Sequence, residues 1–438
     1  MASNNVNNVS QSTVDHFAFF NALGAIVDRT ERAGLTAEQA EEVPEYRIVL
    51  AGLLTLRLVD AWIAAVNEGG SAPNMKRVTG ARRAVLACEV SPARHVLDAL
   101  VGAMLNSWGV ASPEIGAQAF AYARLLQDES EWGMAADAYQ SVVGCAEAAK
   151  DTGLLPLAYL YMGACLRGWG NFRDAERAYA RAGEIATELG DEYHMLLSRI
   201  GAANVAANRG NLPRAEALLD AIIRETEERL PHAPALIEVL ARAKHDRGVV
   251  VLGRGDPARA TDDYFDAFEA YTEPHRRTRA LVDLANALTA LGAREAARDA
   301  YHLCLGSTTD REVRWVVMLN LLELAELDGE ETTFERWRRE LTDADLPPRL
   351  RAHFLLYAGH GLYRFGRADQ ARTALAGALV IAEKHELGEV VMRADAALTA
   401  IDRNERLPVT NVTLPSESGV ARIVDRLRDM RARQPTTA

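Results

Sequence analysis

The stretch from residue 159 to residue 182 constrains the fold more than any other part of the chain. Gly163 and Ala175 are small where two short helices would approach closely, and Gly170 lies between those helices. Tyr179 follows Ala175 by about one helical turn, so its ring can fill the space between one pair of helices and the next. The stretch therefore predicts a helical hairpin that packs against a neighbouring hairpin.

The same pattern recurs along the chain at intervals of 36 to 45 residues, with one poor member at Thr333. The small residues that open the second helix of each hairpin are Ala135, Ala175, Ala215, Ala260, Ala297, Thr333 and Ala371. The larger residues four positions later are Tyr139, Tyr179, Leu219, Tyr264, Tyr301, Trp337 and Leu375. Five positions before the small residue stand Gly170, Gly210, Gly255, Gly292 and Gly366. A packing unit repeated in this way predicts an array of seven hairpins.

The hairpin pattern resembles the tetratricopeptide repeat, position by position, in Met162, Gly163, Leu166, Gly170, Phe172, Ala175, Tyr179 and Ala182. The units are longer than usual for that repeat and look like those of kinesin light chains, LGN-type adaptors and bacterial peptide-sensing regulators of the Rap type. The resemblance covers about two-thirds of the chain. It implies a right-handed α-solenoid of about seven hairpins, and it is specific for fold rather than for function.

Composition agrees with an all-α fold. The chain has 438 residues, of which 6% are aromatic, and Ala, Leu, Arg and Glu dominate, a mixture that favours helix over strand. Hydrophobic residues make up 49%, which is ample for burial. The net charge of −12 argues against general affinity for nucleic acid or anionic membranes, because such affinity needs clustered Lys and Arg.

Cysteine usage and the N-terminal segment predict a soluble cytoplasmic protein. The four cysteines are far apart and form no CxxC pair, so neither a zinc site nor a disulfide framework is expected, and the thiols are predicted to be buried and inert. The N-terminus has no positive region before an apolar run. The apolar run at residues 48–56 is interrupted by Arg57 and Asp60 well short of a membrane span.

Four segments are predicted along the chain. Residues 1–12 are rich in Asn and Ser and are expected to be disordered. Residues 13–112 form an N-terminal helical region, either degenerate repeats or a separate bundle, whose first helix is capped by Thr13 and carries Phe17, Phe20 and Leu23 on one side. Residues 113–402 are the repeat array, closed by a last helix at 389–402. Residues 403–438 hold a linker and a C-terminal amphipathic helix.

The C-terminal helix is predicted to begin after an extended linker at residues 406–415, with Ser416 as its cap. Five arginines surround an apolar stripe formed by Val420, Ile423, Val424, Leu427 and Met430. This helix either folds back to cover the open end of the solenoid or binds a partner.

The search for catalytic chemistry is negative. The chain has no GxxxxGK[ST], GxSxG, HExxH or strand-associated GxGxxG motif, and the HELGE at residues 385–389 has the wrong second ligand. His353, Tyr357 and His360 share one helix face, but a metal or catalytic site there would need a third ligand that the sequence does not supply. We therefore predict no catalytic residues, metal or cofactor.

Partner binding is predicted on the concave face, which in the tetratricopeptide family is lined by the first helix of each hairpin. The alignment positions place many polar residues on this face, including Asn, which can donate to and accept from a peptide backbone, and Arg, which can bind a carboxylate. Asn204 and Asn286 occupy equivalent repeat positions. The set comprises Arg124, Gln127, Tyr161, Arg167, Asn204, Asn208, Arg242, His245, Asp246, Arg279, Asp283, Asn286, His353, Tyr357, His360, Tyr363 and Arg364. An ordinary solvated surface is the alternative interpretation.

These observations predict a non-enzymatic adaptor or regulatory subunit that binds a protein segment or peptide, with no nucleic-acid or membrane partner. The alternative is a signal-responsive regulator, in which a small peptide or ligand changes the solenoid and so controls a bound enzyme or transcription factor. Whether ligand and partner compete or bind at separate sites would distinguish the two functions.

Overall fold

The computed structural model describes residues 15–69, 72–405 and 418–433. Within these ranges the chain forms α-helices, one 3₁₀ turn at Pro234–Leu236 and no strand, so the predicted all-α class is confirmed. Several predictions lie outside the described residues: the disordered tail at 1–12, the cap at Thr13, the linker at 406–415 and the cap at Ser416.

Five helices precede the predicted array. They are α1 (Phe17–Arg32), α2 (Ala37–Ala40), α3 (Pro44–Asn67), α4 (Met75–Ala87) and α5 (Pro92–Asn106). Helix α3 is central, because it packs against α1, α4, α5 and α7.

Seven pairs of helices follow, as the repeat pattern predicts. They are α6 (Pro113–Asp128) with α7 (Trp132–Ala149), α8 (Leu154–Gly168) with α9 (Phe172–Glu188), α10 (Glu192–Asn208) with α11 (Leu212–Arg229), α12 (Ile237–Gly253) with α13 (Pro257–Ala270), α14 (Pro274–Ala290) with α15 (Arg294–Ser307), α16 (Arg311–Asp328) with α17 (Glu331–Thr342), and α18 (Pro348–Arg364) with α19 (Ala368–Lys384). The chain continues with α20 (Gly388–Asp402) and α21 (Ser418–Ala432).

The chain divides into two compact units, residues 1–218 and residues 219–438. The first unit contains α1 to α10 and the start of α11, and the second contains the rest of α11 and α12 to α21. The sequence-based boundaries at residues 113 and 403 stay predictions.

Local chemistry explains where the paired helices begin and end. Asp256 and Asp310 cap α13 and α16 by accepting hydrogen bonds from backbone N–H groups of the first turn. Gly170, Gly210, Gly255, Gly292 and Gly366 all have φ between 78° and 85°, a left-handed conformation that costs other residues energy. The repeated glycine is therefore required by the turn between two helices of a pair.

Packing within the pairs matches the predicted roles. The six alignment alanines are fully buried, and the large residues four positions later are all buried. Tyr264, for example, packs against Gly248 of α12, where an added Cβ would lie 2.7 Å from its Cε1 atom. The small residue in the first helix and the ring in the second are thus complementary in shape.

The sixth pair, α16 and α17, was aligned one residue too early. Phe334 is fully buried whereas Thr333 is only partly buried, so Phe334 takes the alignment position. An added Cβ at Gly361 of α18 would lie 2.1 Å from Phe334 Cε2, so the larger residue is accommodated by a glycine in the next helix. The sequence shows no small residue at this alignment position because the glycine that accommodates Phe334 lies in α18.

The residues predicted to share one side of α1 differ in burial. Phe17 and Phe20 are 66% and 41% exposed, whereas Phe19, Leu23 and Ile26 are buried. The start of the helix is held by tertiary contacts, because the Ala18 N–H donates to Asp137 Oδ2 and His16 Nε2 lies 2.9 Å from Asp60 Oδ2. These contacts set the rotation of α1, which the spacing of its phenylalanines does not reveal.

The apolar run at residues 48–56 lies in helix α3, which is apolar over a longer window than the interruption at Arg57 and Asp60 suggested. In the described residues it is the one helix whose length and composition would allow it to cross a membrane, with a mean hydropathy of 1.9 over its most apolar window. However, 56% of that window is buried inside the protein. Such burial is typical of a central core helix.

The predicted burial of the cysteines is confirmed. Cys88, Cys145, Cys165 and Cys304 are buried and form no disulfide. Burial raises the pKa of all four thiols, that of Cys165 to about 12, so they remain protonated at neutral pH.

The C-terminal helix α21 folds back, but not onto the end of the array. It packs against α13 and α15, the second helices of the fourth and fifth pairs, while α20 covers α18 and α19. Val420, Ile423 and Leu427 are buried, and Arg426 Nε lies 3.4 Å from Glu269 Oε1 of α13. Arg428 and Arg431 also lie near Asp299 of α15, whose pKa is raised by burial and lowered by these arginines. Basic α21 thus lies on an acidic, partly apolar surface.

Removing everything after Arg406 is expected to lower the melting temperature and to increase binding of an apolar dye. The three buried side chains of α21 each contribute about 1.5–3 kcal/mol of burial, offset in part by the cost of ordering the helix. Differential scanning calorimetry and dye fluorescence measure both effects. Arg422→Ala, an exposed change on the same helix, is the control and should melt like the parent protein. An unchanged melting temperature after truncation would contradict the packing role of α21.

Candidate functional site

The candidate site is the side of the second unit formed by the first helices of its pairs and by α20, which we call the first-helix face. Three of these helices carry eleven of the predicted residues: Arg242, His245 and Asp246 on α12; Arg279, Asp283 and Asn286 on α14; and His353, Tyr357, His360, Tyr363 and Arg364 on α18. The other six lie in the first unit on α6, α8 and α10: Arg124, Gln127, Tyr161, Arg167, Asn204 and Asn208.

In the first unit, three of the predicted residues join one aromatic cluster. Tyr161 stacks on Tyr139 with ring centroids 5.7 Å apart, and the Arg124 guanidinium lies 4.9 Å from the centroid of the Tyr161 ring. Gln127 Oε1 accepts a hydrogen bond from the Tyr139 hydroxyl. The packing of α6, α7 and α8 therefore uses much of the polar capacity of these side chains.

The remaining predicted residues of the first unit differ in exposure. Asn204 is half-buried on α10, and Asn208, at the end of that helix, is exposed. Arg167 is half-buried, and its Nε atom is buried without a hydrogen-bond partner.

His245 is buried between helices rather than exposed, and its predicted part in partner binding stays a prediction. It is 6% exposed and lies edge-on to the ring of Tyr264. Its Nε2 atom is 2.8 Å from Asp283 Oδ2, and the Tyr271 hydroxyl is 3.4 Å from its Nδ1 atom. A neutral ring that carries its proton on Nε2 satisfies both contacts. His245 thus joins α12 to α14 and orients Asp283.

Tyr363, which is half-buried, and Arg364, which is exposed, also make contacts within the protein. Glu326 is 8% exposed and needs a counter-charge, which Arg364 supplies through Nε at 2.9 Å from Glu326 Oε1. The Tyr363 hydroxyl donates to the carbonyl oxygen of Glu405. Both side chains thus make contacts within the protein, and their part in partner binding stays a prediction.

Asn286 forms an amide pair with Asn320, a residue of α16 that sequence reasoning missed. Asn286 Oδ1 accepts hydrogen bonds from the Tyr301 hydroxyl at 2.6 Å and from Asn320 Nδ2 at 3.0 Å. Both asparagines are half-buried. In the described residues, Asn286 Nδ2 and Asn320 Oδ1 make no further hydrogen bond. The pair therefore presents one donor and one acceptor on neighbouring helices.

A charged and aromatic cluster follows on α16, α18 and α20. Arg393 Nη2 is 3.5 Å from Glu323 Oε1 and its Nη1 is 3.4 Å from Glu389 Oε1. The same guanidinium lies 5.5 Å from the centroid of the Tyr357 ring. Burial raises the pKa of Glu323 and raises that of Tyr357 to about 12. Sequence reasoning missed Glu323 and Arg393.

His353 and His360 complete this cluster as neutral imidazoles. Burial, with Arg393 as the lesser cause, lowers the pKa of His360 to about 4, and burial also lowers the pKa of His353. The Nε2 atom of His360 is buried and has no hydrogen-bond partner. At neutral pH each ring can both donate and accept a hydrogen bond.

The repeat register contained a signal for Glu323, one of the three missed residues. Eleven residues before the alignment position stand Asn204, Asn286 and His360. With the sixth pair aligned on Phe334, the same count reaches Glu323, whereas alignment on Thr333 reaches Leu322, a fully buried core residue. The register gives no signal for Arg393, because α20 lies after the seventh pair and has no alignment position.

The described residues contain no group of three or more His, Cys, Asp or Glu side chains that could hold a metal ion. His353, Tyr357 and His360 share a helix face as predicted, and Arg393 rather than a third metal ligand lies beside them. The chemistry on this face is hydrogen bonding and charge pairing.

Fold and site together define a protein of tetratricopeptide-like hairpins with a polar first-helix face. No protein-family model matches the chain, and no curated protein matches it in sequence. Solved structures of similar architecture include NprR in complex with its cognate peptide NprX, at 15% identity and a TM-score of 0.44, over 87% of this chain and 100% of that one.

Two further solved structures are similar. A Rap protein complexed with competence and sporulation factor has 13% identity and a TM-score of 0.43, over 82% of this chain and 98% of that one. A tetratricopeptide repeat protein from Parabacteroides merdae ATCC 43184 has 12% identity and a TM-score of 0.41, over 64% of this chain and 98% of that one. At these values the likeness adds no argument, and the fold is assigned from the hairpins themselves.

Proposed function

We propose that this protein is a non-enzymatic cytoplasmic adaptor or regulatory subunit that binds an extended segment of a protein or peptide on the first-helix face of its second unit. The observation that carries the proposal is the amide pair of Asn286 and Asn320. Each peptide unit of an extended chain offers one C=O and one N–H. A surface that recognises this backbone therefore needs both a hydrogen-bond donor and an acceptor. Asn286 Nδ2 and Asn320 Oδ1 supply the matching donor and acceptor.

Geometry supports this role because the pair is fixed before any ligand binds. Two hydrogen bonds hold Asn286 Oδ1, and one of them comes from Tyr301, which is 1% exposed. An amide held in one orientation loses little side-chain entropy when it binds, so more of its hydrogen-bond energy is retained.

Residues on either side of the amide pair supply side-chain selectivity. Arg279 of α14 is exposed, and its guanidinium suits an acidic side chain. On the other side, Tyr357, His353 and His360 offer aromatic surface and neutral hydrogen-bonding groups. The segment that fits best is therefore extended, with an acidic residue toward α14 and a polar or aromatic residue toward α18.

The absence of enzymatic activity belongs to the same proposal. The four thiols are buried and protonated, which removes the strongest nucleophiles. His353 and His360 are surrounded by Tyr357, Arg393 and Glu323, and none of these forms the nucleophile, base and orienting group of a catalytic constellation.

The test uses a partner purified with the protein from its native cells and a peptide made from the bound region of that partner. Asn286→Asp keeps the acceptor that Tyr301 and Asn320 need but removes the Nδ2 donor, and Asn320→Ala removes the free acceptor. Each change is expected to weaken peptide binding about five- to hundredfold. Titration calorimetry measures the affinity, and circular dichroism checks the fold.

Gln370→Ala is the matched control, because Gln370 is an exposed amide on α19, a second helix. It should bind the peptide like the parent protein. If both asparagine variants also bind like the parent, the first-helix face of the second unit is not the binding surface.

A further inference from the structure

The first unit encloses a cavity that takes no part in the proposed peptide binding. It has a volume of about 280 Å³ and lies between α1, α3, α5, α6 and the start of α7. Its wall is mainly apolar and includes Ala22, Ile26, Ile48, Val49, Leu125 and Met134. None of the seventeen residues predicted from sequence lines it. The volume lies just below the usual range for sites that hold drug-sized ligands, so it suits a smaller molecule.

Three carboxylates and one guanidinium stand at the rim of this cavity. Glu129 and Glu131 flank Ser130, whose positive φ of 64° turns the chain between α6 and α7. Glu45, in the first turn of α3, is 2.5 Å from Arg29 Nη2 of α1. Among the lining residues that the structure describes, Arg29 is the only cationic side chain, so these residues give the rim an excess of two negative charges.

The carboxylates at the rim interact unfavourably with one another. Burial raises the pKa of Glu131, and the like charges of Glu45 and Glu129 raise it further. Arg29 is already paired with Glu45. A further cation at the rim would reduce the repulsion that Glu129 and Glu131 experience, whereas an anion would increase it.

We propose that this cavity is a binding site for a small organic ammonium ion whose apolar body occupies the cavity and whose charged group lies among Glu45, Glu129 and Glu131. The apolar wall favours a hydrocarbon body, and Tyr122, which is 2% exposed, adds an aromatic surface that suits a nearby cation. A neutral molecule of the same shape would gain the burial but not the charge pairing. An anionic one would meet the excess negative charge of the rim.

The test compares three probes of nearly equal size on the full chain by titration calorimetry: 2-phenylethylamine, 2-phenylethanol and 3-phenylpropionate. The amine is expected to bind, the alcohol to bind about tenfold more weakly or less, and the carboxylate not to bind. This series needs no variant, so it does not depend on the folding of one. Equal binding of amine and alcohol, or no binding of the amine, would overturn the proposal.

Variants then locate the bound amine. Glu131→Gln is expected to weaken amine binding about tenfold. Ala22→Leu, which adds volume inside the cavity, should abolish it, while Glu114→Gln, an exposed change on α6 away from the cavity, should leave it unchanged. Circular dichroism confirms that each variant is folded. Amine binding that survives both Glu131→Gln and Ala22→Leu places the site elsewhere and refutes the assignment.

A peptide N-terminus shares the chemistry of a free amine, so the amide of the dipeptide Phe-Gly is included. Binding of 2-phenylethylamine with affinity equal to or above that of the dipeptide supports a small-molecule site. Binding of the dipeptide alone would overturn it in favour of peptide N-terminus recognition. Because the asparagine variants of the second unit leave this cavity intact, failure here is distinct from failure of the proposed function.

Discussion

Replacing Tyr179 with alanine is expected to lower the free energy of unfolding of the first unit by about 3–5 kcal/mol. The ring is 5% exposed and lies between α8 and α10. An added Cβ at Gly163 would be 3.0 Å from its Cε1 atom, and one at Gly201 would be 2.2 Å away. Both facing residues are glycines, so no side chain can move in to fill the space left by the ring. The cost should therefore fall in the upper part of that range.

Chemical denaturation followed by circular dichroism measures this change. Trp169→Ala, which removes an aromatic residue that is 50% exposed, is the control and should alter stability by far less. Gly201→Ala tests the same contact from the other helix, because its Cβ would overlap the Tyr179 ring, and it should also destabilise the protein. A loss below about 1 kcal/mol for Tyr179→Ala would contradict the packing between these helices.

Replacing Arg247 with methionine is expected to cost the second unit about 3–5 kcal/mol. The guanidinium of Arg247 makes two hydrogen bonds to Asp263, from Nε at 2.9 Å and from Nη2 at 2.5 Å. Its Nη1 donates to Asp220 Oδ1 at 2.7 Å. Asp263 is 3% exposed, and its pKa is raised by burial and lowered by Arg247. Without Arg247, this carboxylate would be buried with much less compensating charge.

A double variant separates two contributions to the free energy of unfolding: the net contribution of the Arg247–Asp263 pair, and the loss caused by leaving Asp263 buried without Arg247. Arg247→Met with Asp263→Leu should recover most of the stability, because replacing both partners of a buried ion pair by apolar residues is often nearly neutral. Arg209→Met removes a pair with Glu176 in which both side chains are about 40% exposed, so it should cost less than about 1 kcal/mol. A single variant as stable as the parent protein would show that the Arg247 contacts contribute little.

The single variant should also respond to pH in a defined direction. Loss of Arg247 raises the pKa of Asp263 further above its unfolded value, so the folded state binds a proton more readily than the unfolded state. Stability then falls as pH rises through that range. The deficit of Arg247→Met relative to the parent should therefore shrink on acidification, which denaturation curves at several pH values would measure.

Much of the architecture could be predicted because the repeat depends on residues that lie only a few positions apart in the chain. A glycine that must adopt positive φ, a small residue five positions later and a ring one turn beyond are all local requirements of one hairpin. The register of the sixth pair cannot be predicted from local spacing, because the glycine that accommodates Phe334 is Gly361 in the next pair of helices. The buried face of α1 also depends on distant residues, since Asp60 and Asp137 hold the start of the helix.

The candidate site was predictable only as a set of helix faces. Register placed Asn286, Tyr357 and His360 on first helices, where the structure has them. It could not show that His245 is buried against Asp283, 38 residues away, or that Arg393 reaches Glu323 across 70 residues. Such pairing depends on which polar groups are removed from water when the helices pack together. That desolvation depends on the packing of all the helices in the unit.

By itself the sequence determined the class, the number of hairpins and the turn glycines between paired helices, because periodicity and turn residues act within a few positions of the chain. Only the tertiary structure decided which polar side chains are left available to bind. It also decided that Arg426 of α21 meets Glu269, which is 157 residues away. Burial and charge pairing over such separations depend on three-dimensional proximity. Local patterns in a single sequence do not predict which distant residues come close together.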